Sequence, residues 1–372
     1  MTSRALWFWA ALAIPSWAVV AKYTGVTGVV VYSLCVAAAL LVLPEIFLKI
    51  PRRSVAALSV MTLLAVAVAF ALVYPRVNVQ TEGAGSDDDD AHNVGVAALL
   101  AGESPYSRRT YLGNALHQLP GSYVLAAPFV ALGTSALQNL VCLPVLFALV
   151  ARRTRDSRSA LVLSWLVLLL SPGVWHQVVT GSSYSWDAIW VVLGIWWIWR
   201  QPGSAIASIF CGVAMCSRPN FLLLLAPVYG ALSRTNGRAV ALRSVVLAAF
   251  TAIALALPFY LVSQEFGPLE AFATLDQFSE AVPAAGVAIL VLTAIVAVGL
   301  SRVAVDLDGL FLQCAAVQAV PVVAVMLLSA ALDGGTRWLS LASYATFASW
   351  FALMGLAADV RLRAALRRDR LS

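Results

Sequence analysis

Charge is scarce in this sequence. Only 11% of its 372 residues are Asp, Glu, Lys or Arg, against about 25% in an average soluble protein. Nearly charge-free runs recur from end to end, and each membrane-spanning helix needs roughly 20 apolar residues. The runs are continuous rather than alternating, which disfavours a transmembrane β-barrel. The sequence therefore predicts an all-α, polytopic integral membrane protein.

Cysteine is also scarce, and its positions form no motif. The five cysteines lie inside apolar runs at spacings that match no zinc or redox site, so we interpret them as small core residues. The net charge of +6 does not indicate nucleic-acid binding, because the basic residues form short clusters between apolar runs. Such clusters are typical of the cytoplasmic loops of membrane proteins.

The apolar runs predict about twelve membrane-embedded segments. They lie near residues 6–22, 26–48, 54–74, 135–151, 159–172, 186–200, 204–217, 219–232, 244–262, 284–301, 309–331 and 338–357. With both termini in the cytoplasm, most basic clusters fall on the cytoplasmic side of the plasma membrane, and residues 75–120 fall on its outer face. Residues 121–134 are apolar but short, and we interpret them as an interfacial helix on the outer surface.

This pattern divides the chain into a two-helix extension at residues 1–53, a membrane module at 54–262, and C-terminal helices with a basic tail at 263–372. The stretch 204–232 is unusual, since its two apolar runs are too short to span comfortably and Arg218 lies between them. A tilted hairpin that enters and leaves on one side fits this stretch. The charge pattern leaves the side of Arg218 open.

The one long polar segment runs over residues 74–120 and contains four consecutive aspartates, Asp87 to Asp90. A carboxylate fixed just above a membrane can act as a general base, or can hold a divalent cation through oxygen ligands. An acidic run is also often no more than a hydrated loop. If this protein carries out chemistry, we expect it in this segment.

The polar segment resembles a known enzyme family. Asp88 is followed by His92, by the run Ala-Ala-Leu-Leu-Ala-Gly at 97–102, and by Pro105 and Tyr106. This pattern is similar to the first outer loop of the GT-C superfamily of glycosyltransferases, and most similar to the α-1,2-mannosyltransferase-like branch, glycosyltransferase family 87. The resemblance implies a GT-C-like membrane fold with a long first outer loop that carries the catalytic residues.

Other elements are similar to the same family. They are the Leu-Pro pair at 119–120, the stretch 181–187, and the Arg-Trp-Leu element at 337–339. Two features depart from the family pattern: two apolar runs precede the one that would be first, and residues 92–93 are His-Asn where an aromatic is usual. The resemblance has specificity over roughly residues 54–262.

The resemblance implies transfer of mannose or a related sugar from a polyprenyl-phosphate donor to a glycolipid or polysaccharide acceptor at the outer face of the lipid bilayer. In the family the loop aspartate is the presumed base, and spacing from Pro105 and Tyr106 assigns this role to Asp88, with Asp89 next. Asp87 and Asp90 are candidate ligands for a divalent cation, Mg²⁺ or Mn²⁺.

Further side chains are candidates for contact with the substrates. Arginine binds phosphate in a fork, and this makes Arg337, Arg108 and Arg109 candidates for the donor phosphate, although Arg108 and Arg109 could simply anchor the loop at the interface. The polar or aromatic candidates are Tyr106, His92, His176 and Asp187. Asp187 also has a purely structural explanation, because a negative charge is favourable at the start of a helix.

Two other functions remain open from the sequence. A transporter or lipid flippase would need ionisable groups deep in several spans or paired broken helices, and the apolar runs contain almost none. A non-catalytic membrane scaffold could use the acidic loop to bind a partner or a cation. Sugar transfer that depends on the aspartate run would distinguish the enzyme from both.

Overall fold

The computed structural model of the chain describes residues 3–81, 86–262, 282, 284–333 and 335–358. These residues are almost entirely helical, and their β-structure is limited to one isolated bridge between Arg109 and Ala115. The α-helices within the described ranges are α1 Ser3–Ala13, α2 Trp17–Phe47, α3 Arg52–Val77, α4 Asp88–Leu100, α5 Pro120–Val130, α6 Gln138–Thr154, α7 Ser157–Leu170, α8 Pro172–Thr180, α9 Tyr184–Arg200, α10 Ala205–Met215, α11 Leu225–Thr235, α12 Arg238–Val262, α13 Ala285–Ser301, α14 Leu307–Asp333 and α15 Thr346–Leu356. Short 3₁₀ helices join several of them, of which Pro219–Leu224 and Arg337–Ala345 are the longest described.

The described residues are consistent with the predicted helical membrane protein. In the described part of the chain, six helical stretches are long and apolar enough to cross a membrane: Arg4–Phe47, Arg52–Val77, Ser135–Thr154, Arg238–Val262, Leu307–Leu332 and Arg337–Leu356. Helices α7 and α8 meet at 84° and make a seventh if they count as one broken span. The number of twelve is not confirmed. The runs at 6–22 and 26–48 lie in one apolar stretch, and α10 and α11 have only 11 residues each.

The centre of the protein is apolar and forms around α9. Helix α9 packs against α6, α10 and α15, and Trp186 and Ile189 on it are completely buried. Helix α15 is buried on all sides, as expected of a helix that is apolar around its whole circumference. Helices α2, α3, α12 and α13 instead expose leucine and valine side chains, as helices that face lipid would.

Helix α5 brings two distant parts of the chain together. Helix α5 covers Pro120–Val130, which confirms a helix within the predicted interfacial segment at 121–134. The helix packs against α4, α10 and α12. A Cβ at Gly95 of α4 would lie 2.5 Å from the Tyr123 ring, and one at Gly121 would lie 2.1 Å from the Val213 carbonyl oxygen. Both close approaches therefore require glycine.

Two charged stretches of the sequence lie outside the described residues. One is 263–283, which contains Glu265, Glu270, Asp276 and Glu280 and of which only residue 282 is described. The other is the arginine-rich C-terminal tail beyond residue 358.

Candidate functional site

The four aspartates occupy the N-terminal end of α4. Asp87 precedes the helix, and Asp88, Asp89 and Asp90 form its first turn, where negative charge is favoured by the helix dipole. Successive residues of an α-helix are rotated by about 100°. Each aspartate consequently meets a different part of the protein.

Asp88 points towards the start of α9 and is held by four side-chain or backbone donors. Its Oδ2 accepts hydrogen bonds from the Ser183 backbone N–H at 2.6 Å and the Ser182 hydroxyl at 3.3 Å. Its Oδ1 accepts from Gln118 Nε2 at 2.9 Å and from Arg218 Nη2 at 3.2 Å. Burial would raise the pKa of Asp88, but the Arg218 charge and the other favourable contacts outweigh it and lower the pKa to about 2.

Arg218 joins two carboxylates. Its Nε donates to Asp187 Oδ2 at 2.9 Å, while its Nη2 contacts Asp88 and the Ser183 hydroxyl. The guanidinium carbon lies 5.7 Å from the centre of the Tyr184 ring. The side chains of Arg218, Asp88 and Asp187 are 13%, 12% and 1% exposed, so these charges interact in a region that is largely shielded from solvent.

The Ser122 hydroxyl connects His92 to this group. Its Nδ1 lies 2.7 Å from the Asp88 carbonyl oxygen, which can only accept, so Nδ1 donates. Its Nε2 lies 2.7 Å from Ser122 Oγ, and that hydroxyl donates its one hydrogen to Asp187 Oδ1 at 2.9 Å. These bonds link His92 to Asp187, and we name the group of Asp88, His92, Asp187 and Arg218 the charge cluster.

Asp89 points the other way, towards α3, and is completely buried. The Tyr74 hydroxyl and Asn78 Nδ2 donate to its Oδ2, and its Oδ1 has no hydrogen-bond partner among the described residues. Burial raises the pKa of Asp89, the Tyr74 hydrogen bond opposes that rise, and the charge of Asp88 adds to it, with a resulting pKa of about 7.

Asp87 and Asp90 anchor the loop that follows α4. Asp87 Oδ2 accepts from Thr110 Oγ1 at 2.7 Å and from Asn114 Nδ2 at 2.8 Å. Asp90 Oδ2 accepts from the Tyr111 backbone N–H at 2.9 Å, and burial raises the pKa of Asp90. These bonds tie residues 110–114 to the start of α4.

The predicted metal site does not fit these surroundings. The described residues contain no group of three or more His, Cys, Asp or Glu side chains that could hold a metal ion. Mg²⁺ and Mn²⁺ sites are built from several converging oxygen ligands, whereas Asp87 and Asp90 each accept hydrogen bonds from the loop. We therefore derive no catalytic step through a metal ion at this position.

A polar cavity of about 740 Å³ opens beside the charge cluster. Its lining includes Asp87, Ser182, Lys22, His176 and Arg337. Asp88 lies one hydrogen bond behind this wall, through Ser182. The cavity thus brings Arg337 and His176, both predicted from the sequence, into one space with Asp87.

The remaining predicted residues lie in the loop between α4 and α5. Tyr106 is buried, and its hydroxyl donates to the Gln118 carbonyl oxygen at 2.8 Å, which positions the side chain that contacts Asp88. Arg108 forms an exposed ion pair with Glu103 at 2.5 Å. Arg109 Nη1 donates to the Gly113 carbonyl oxygen at 3.4 Å.

The sequence did not identify Arg218, Gln118, Ser122 or Ser183 as site residues. A usable signal existed for Arg218, because ionisable residues between apolar membrane segments are functional candidates by default. Gln118 and Ser122 are ordinary polar residues near helix starts that no local pattern distinguishes, whereas Ser183 lies in the stretch 181–187 that resembles the family.

Residues from two of the motifs that resemble the family lie together in the described part of the chain. Asp88 and Asp187, which carry parts of the sequence resemblance, meet in the charge cluster, and Arg337 lines the neighbouring cavity. No family model matches the chain, and comparisons with curated proteins and with solved structures found no match.

Proposed function

We propose that this chain is an integral-membrane glycosyltransferase of the GT-C type. It moves a sugar, mannose or a related one, from a polyprenyl-phosphate donor to a hydroxyl of a glycolipid or polysaccharide acceptor. The observation that carries this proposal is the polar cavity, whose wall presents a carboxylate from Asp87 and cations from Lys22 and Arg337. The motif resemblance of the polar segment supports the same activity.

The carboxylate of Asp87 and the cations of Lys22 and Arg337 match the two needs of sugar transfer, which are to accept a proton and to offset a negative charge. The bond from the acceptor oxygen to the anomeric carbon forms while the bond from that carbon to the donor phosphate breaks on the opposite face. The hydroxyl proton passes to a carboxylate. The departing lipid phosphate gains negative charge, and Arg337 and Lys22 offset it.

We assign the role of general base to Asp87. A general base must come within about 2.6–3.2 Å of the group whose proton it takes, and Asp87 lies on the cavity wall. Asp88 is engaged by four donors, and Asp89 is completely buried on the α3 side. Spacing from Pro105 and Tyr106 assigned the base to Asp88, whereas here Asp88 positions the first turn of α4 through its contact with Arg218.

The proposed orientation places residues 75–120 outside the plasma membrane and both termini in the cytoplasm. The basic clusters between the apolar runs support this orientation. A lipid-linked donor fits an outer-face site, because nucleotide sugars are made in the cytoplasm.

A transporter is a second candidate, and one observation favours it. Arg218 lies at the break between α10 and the 3₁₀ helix Pro219–Leu224 and pairs with the buried Asp187. Broken helices with ionisable groups are typical of transporter binding sites. A transporter would move a lipid or sugar across the membrane without forming a new glycosidic bond.

A transfer assay in membranes tests the proposal. A panel of polyprenyl-phosphate sugars is offered with and without a chelator, and the labelled sugar that enters the acceptor fraction is measured. We expect Asp87→Asn to lower the rate by about 10²–10⁴-fold, the usual contribution of a general base. Glu103→Gln is the matched control, since Glu103 is an exposed carboxylate of the same loop, and it should leave transfer unchanged.

The outcomes separate the parts of the proposal. Transfer that survives Asp87→Asn but is lost in Asp88→Asn would return the base to Asp88. No transfer from any donor, together with movement of lipid across a reconstituted bilayer, would overturn the enzyme in favour of the transporter.

A further inference from the structure

A second cavity of about 370 Å³ lies between α1, α14 and α15. Its walls consist of indole and hydrocarbon side chains, among them Trp7, Trp17, Met326, Trp338 and Ala348. Ser349 contributes the one hydroxyl of the lining, and that hydroxyl already donates to the Ala345 carbonyl oxygen at 2.9 Å. A ligand in this apolar cavity would therefore gain affinity from hydrocarbon burial and not from hydrogen bonds.

The apolar cavity and the polar cavity adjoin at two tryptophans. Trp17 and Trp338 line the apolar cavity, and their rings meet edge to face with centres 6.4 Å apart. The residues next to them in the chain line the polar cavity, namely Ala18 beside Trp17, and Arg337 and Leu339 beside Trp338. The two cavities are thus neighbours across one pair of indoles.

The apolar cavity is elongated along the helices and open at its side. Its lining on α14 extends from Ala319 to Ala330, a rise of about 16 Å at 1.5 Å per residue. Val323 and Leu327 on this wall are 49% and 66% exposed, and α14 is one of the candidate membrane spans. A hydrocarbon chain in the surrounding bilayer could therefore enter laterally.

We propose that the two cavities form one binding site for a single-chain lipid phosphate. The hydrocarbon chain occupies the apolar cavity, the Trp17–Trp338 pair marks the junction, and the phosphate lies in the polar cavity near Lys22 and Arg337. A single apolar cavity of about 370 Å³ favours a single-chain lipid over a diacyl phospholipid. The choice of an isoprenoid chain rests on the proposed function.

The N-terminal part of the chain has a direct role in this lipid site. Residues of α1 and the segment up to Lys22 provide one wall of both cavities. They belong to the two-helix extension that precedes the region of family resemblance. Lipid recognition would therefore depend on residues that the resemblance does not cover.

Direct binding of geranylgeranyl monophosphate to the purified full-length chain in detergent tests the site. This probe carries no sugar, so its binding does not require transfer, and a failure here is distinguishable from a failure of the glycosyltransferase proposal. We expect Ala348→Leu, which fills the apolar cavity, to weaken binding by about tenfold or more. Ala330→Leu at the exposed mouth of the cavity gives a second variant with less risk to folding.

The matched control for cavity filling is Ala67→Leu. Ala67 lines a separate apolar cavity of about 230 Å³ between α3, α6 and α7, which contains none of the residues of the polar cavity. This variant should bind the probe like the unmodified protein. Equal binding by all three leucine variants, or equal weakening by all three, would overturn the assignment of the chain to the apolar cavity.

The phosphate end is tested with the double variant Lys22→Gln, Arg337→Gln. It should weaken binding of geranylgeranyl monophosphate and leave binding of uncharged geranylgeraniol unchanged. Equal losses for both probes would contradict a phosphate contact at these cations. Phosphatidic acid that competes as well as the single-chain phosphate would overturn the preference for one chain.

Discussion

The two sides of the first turn of α4 place neighbouring carboxyl groups in opposite electrostatic environments. On the α9 side, Asp88 meets Arg218, and its pKa falls to about 2. On the α3 side, Asp89 meets Tyr74 and Asn78, and its pKa rises to about 7. Both side chains are largely shielded, so burial alone does not explain the difference. A paired cation decides which of two adjacent aspartates stays ionised.

Removal of the cation should have the largest effect. Arg218→Met leaves the two carboxylates of Asp88 and Asp187 without their shared partner, and loss of one member of a buried ion pair costs about 3–5 kcal/mol. We expect a lower unfolding temperature in detergent and loss of sugar transfer. Because Arg218 binds both carboxylates, Arg218→Lys should recover only part of the stability.

A double-variant cycle sharpens this test. Asp187→Asn removes one of the two charges, so Arg218→Met should cost less stability in that background than in the unmodified protein. Equal costs in both backgrounds would show that Arg218 and Asp187 are not energetically coupled, contrary to their 2.9 Å contact.

Asp89→Asn should have a smaller effect with a distinct pH dependence. Because the folded pKa of Asp89, about 7, lies above its ordinary value of 3.8, the folded chain holds this proton more tightly than the unfolded chain. The stability that this bound proton contributes to the folded chain is fully present below about pH 4 and is lost as the pH rises through about 7. At pH 8 the asparagine variant should therefore be more stable than the unmodified protein, by up to about 4 kcal/mol.

The measurement is the unfolding temperature of both proteins across this pH range. The difference between them should grow from pH 4 to pH 8. Asp88 acts in the opposite sense, since its lowered pKa contributes stability above about pH 4 that is lost as the pH falls towards 2. Parallel curves for Asp89→Asn and the unmodified protein would contradict the contrast between the two sides of α4.

Arg108→Ala should have the smallest effect. Arg108 and Glu103 are 53% and 47% exposed, and exposed ion pairs contribute only about 0–1 kcal/mol. Stability should change by less than about 0.5 kcal/mol, and the KM for the donor should stay the same. A large increase in that KM would instead support the phosphate-binding role that the sequence suggested for Arg108.

The sequence was a good guide to local features. The apolar runs located most helices within a few residues, because each run satisfies its own backbone hydrogen bonds as a helix. The number of twelve segments is not confirmed, and the sequence already indicated that the runs of α10 and α11 are too short to span comfortably.

The partners within the site could not be predicted in this way. The directions of four consecutive aspartates depend on how α4 is rotated against α3 and α9, and sequence spacing does not report rotation. Arg218 was visible as a charge between two apolar runs, but its pairing with Asp88 and Asp187 arises only when α9 and α10 pack side by side. Among the predicted residues, Asp88 and Asp187 meet in the charge cluster, and Arg337 lines the polar cavity.

The contact between Asp88 and Arg218 also has a consequence for biosynthesis. The two residues are 130 positions apart in the chain, and ribosomes add about 5–20 residues per second. Asp88 thus emerges roughly 7–26 s before its cation. The N-terminal end of α4 cannot settle into its shielded position until synthesis has passed α10. A nascent chain that stopped just short of residue 218 would hold Asp88 and Asp187 without the arginine that they share.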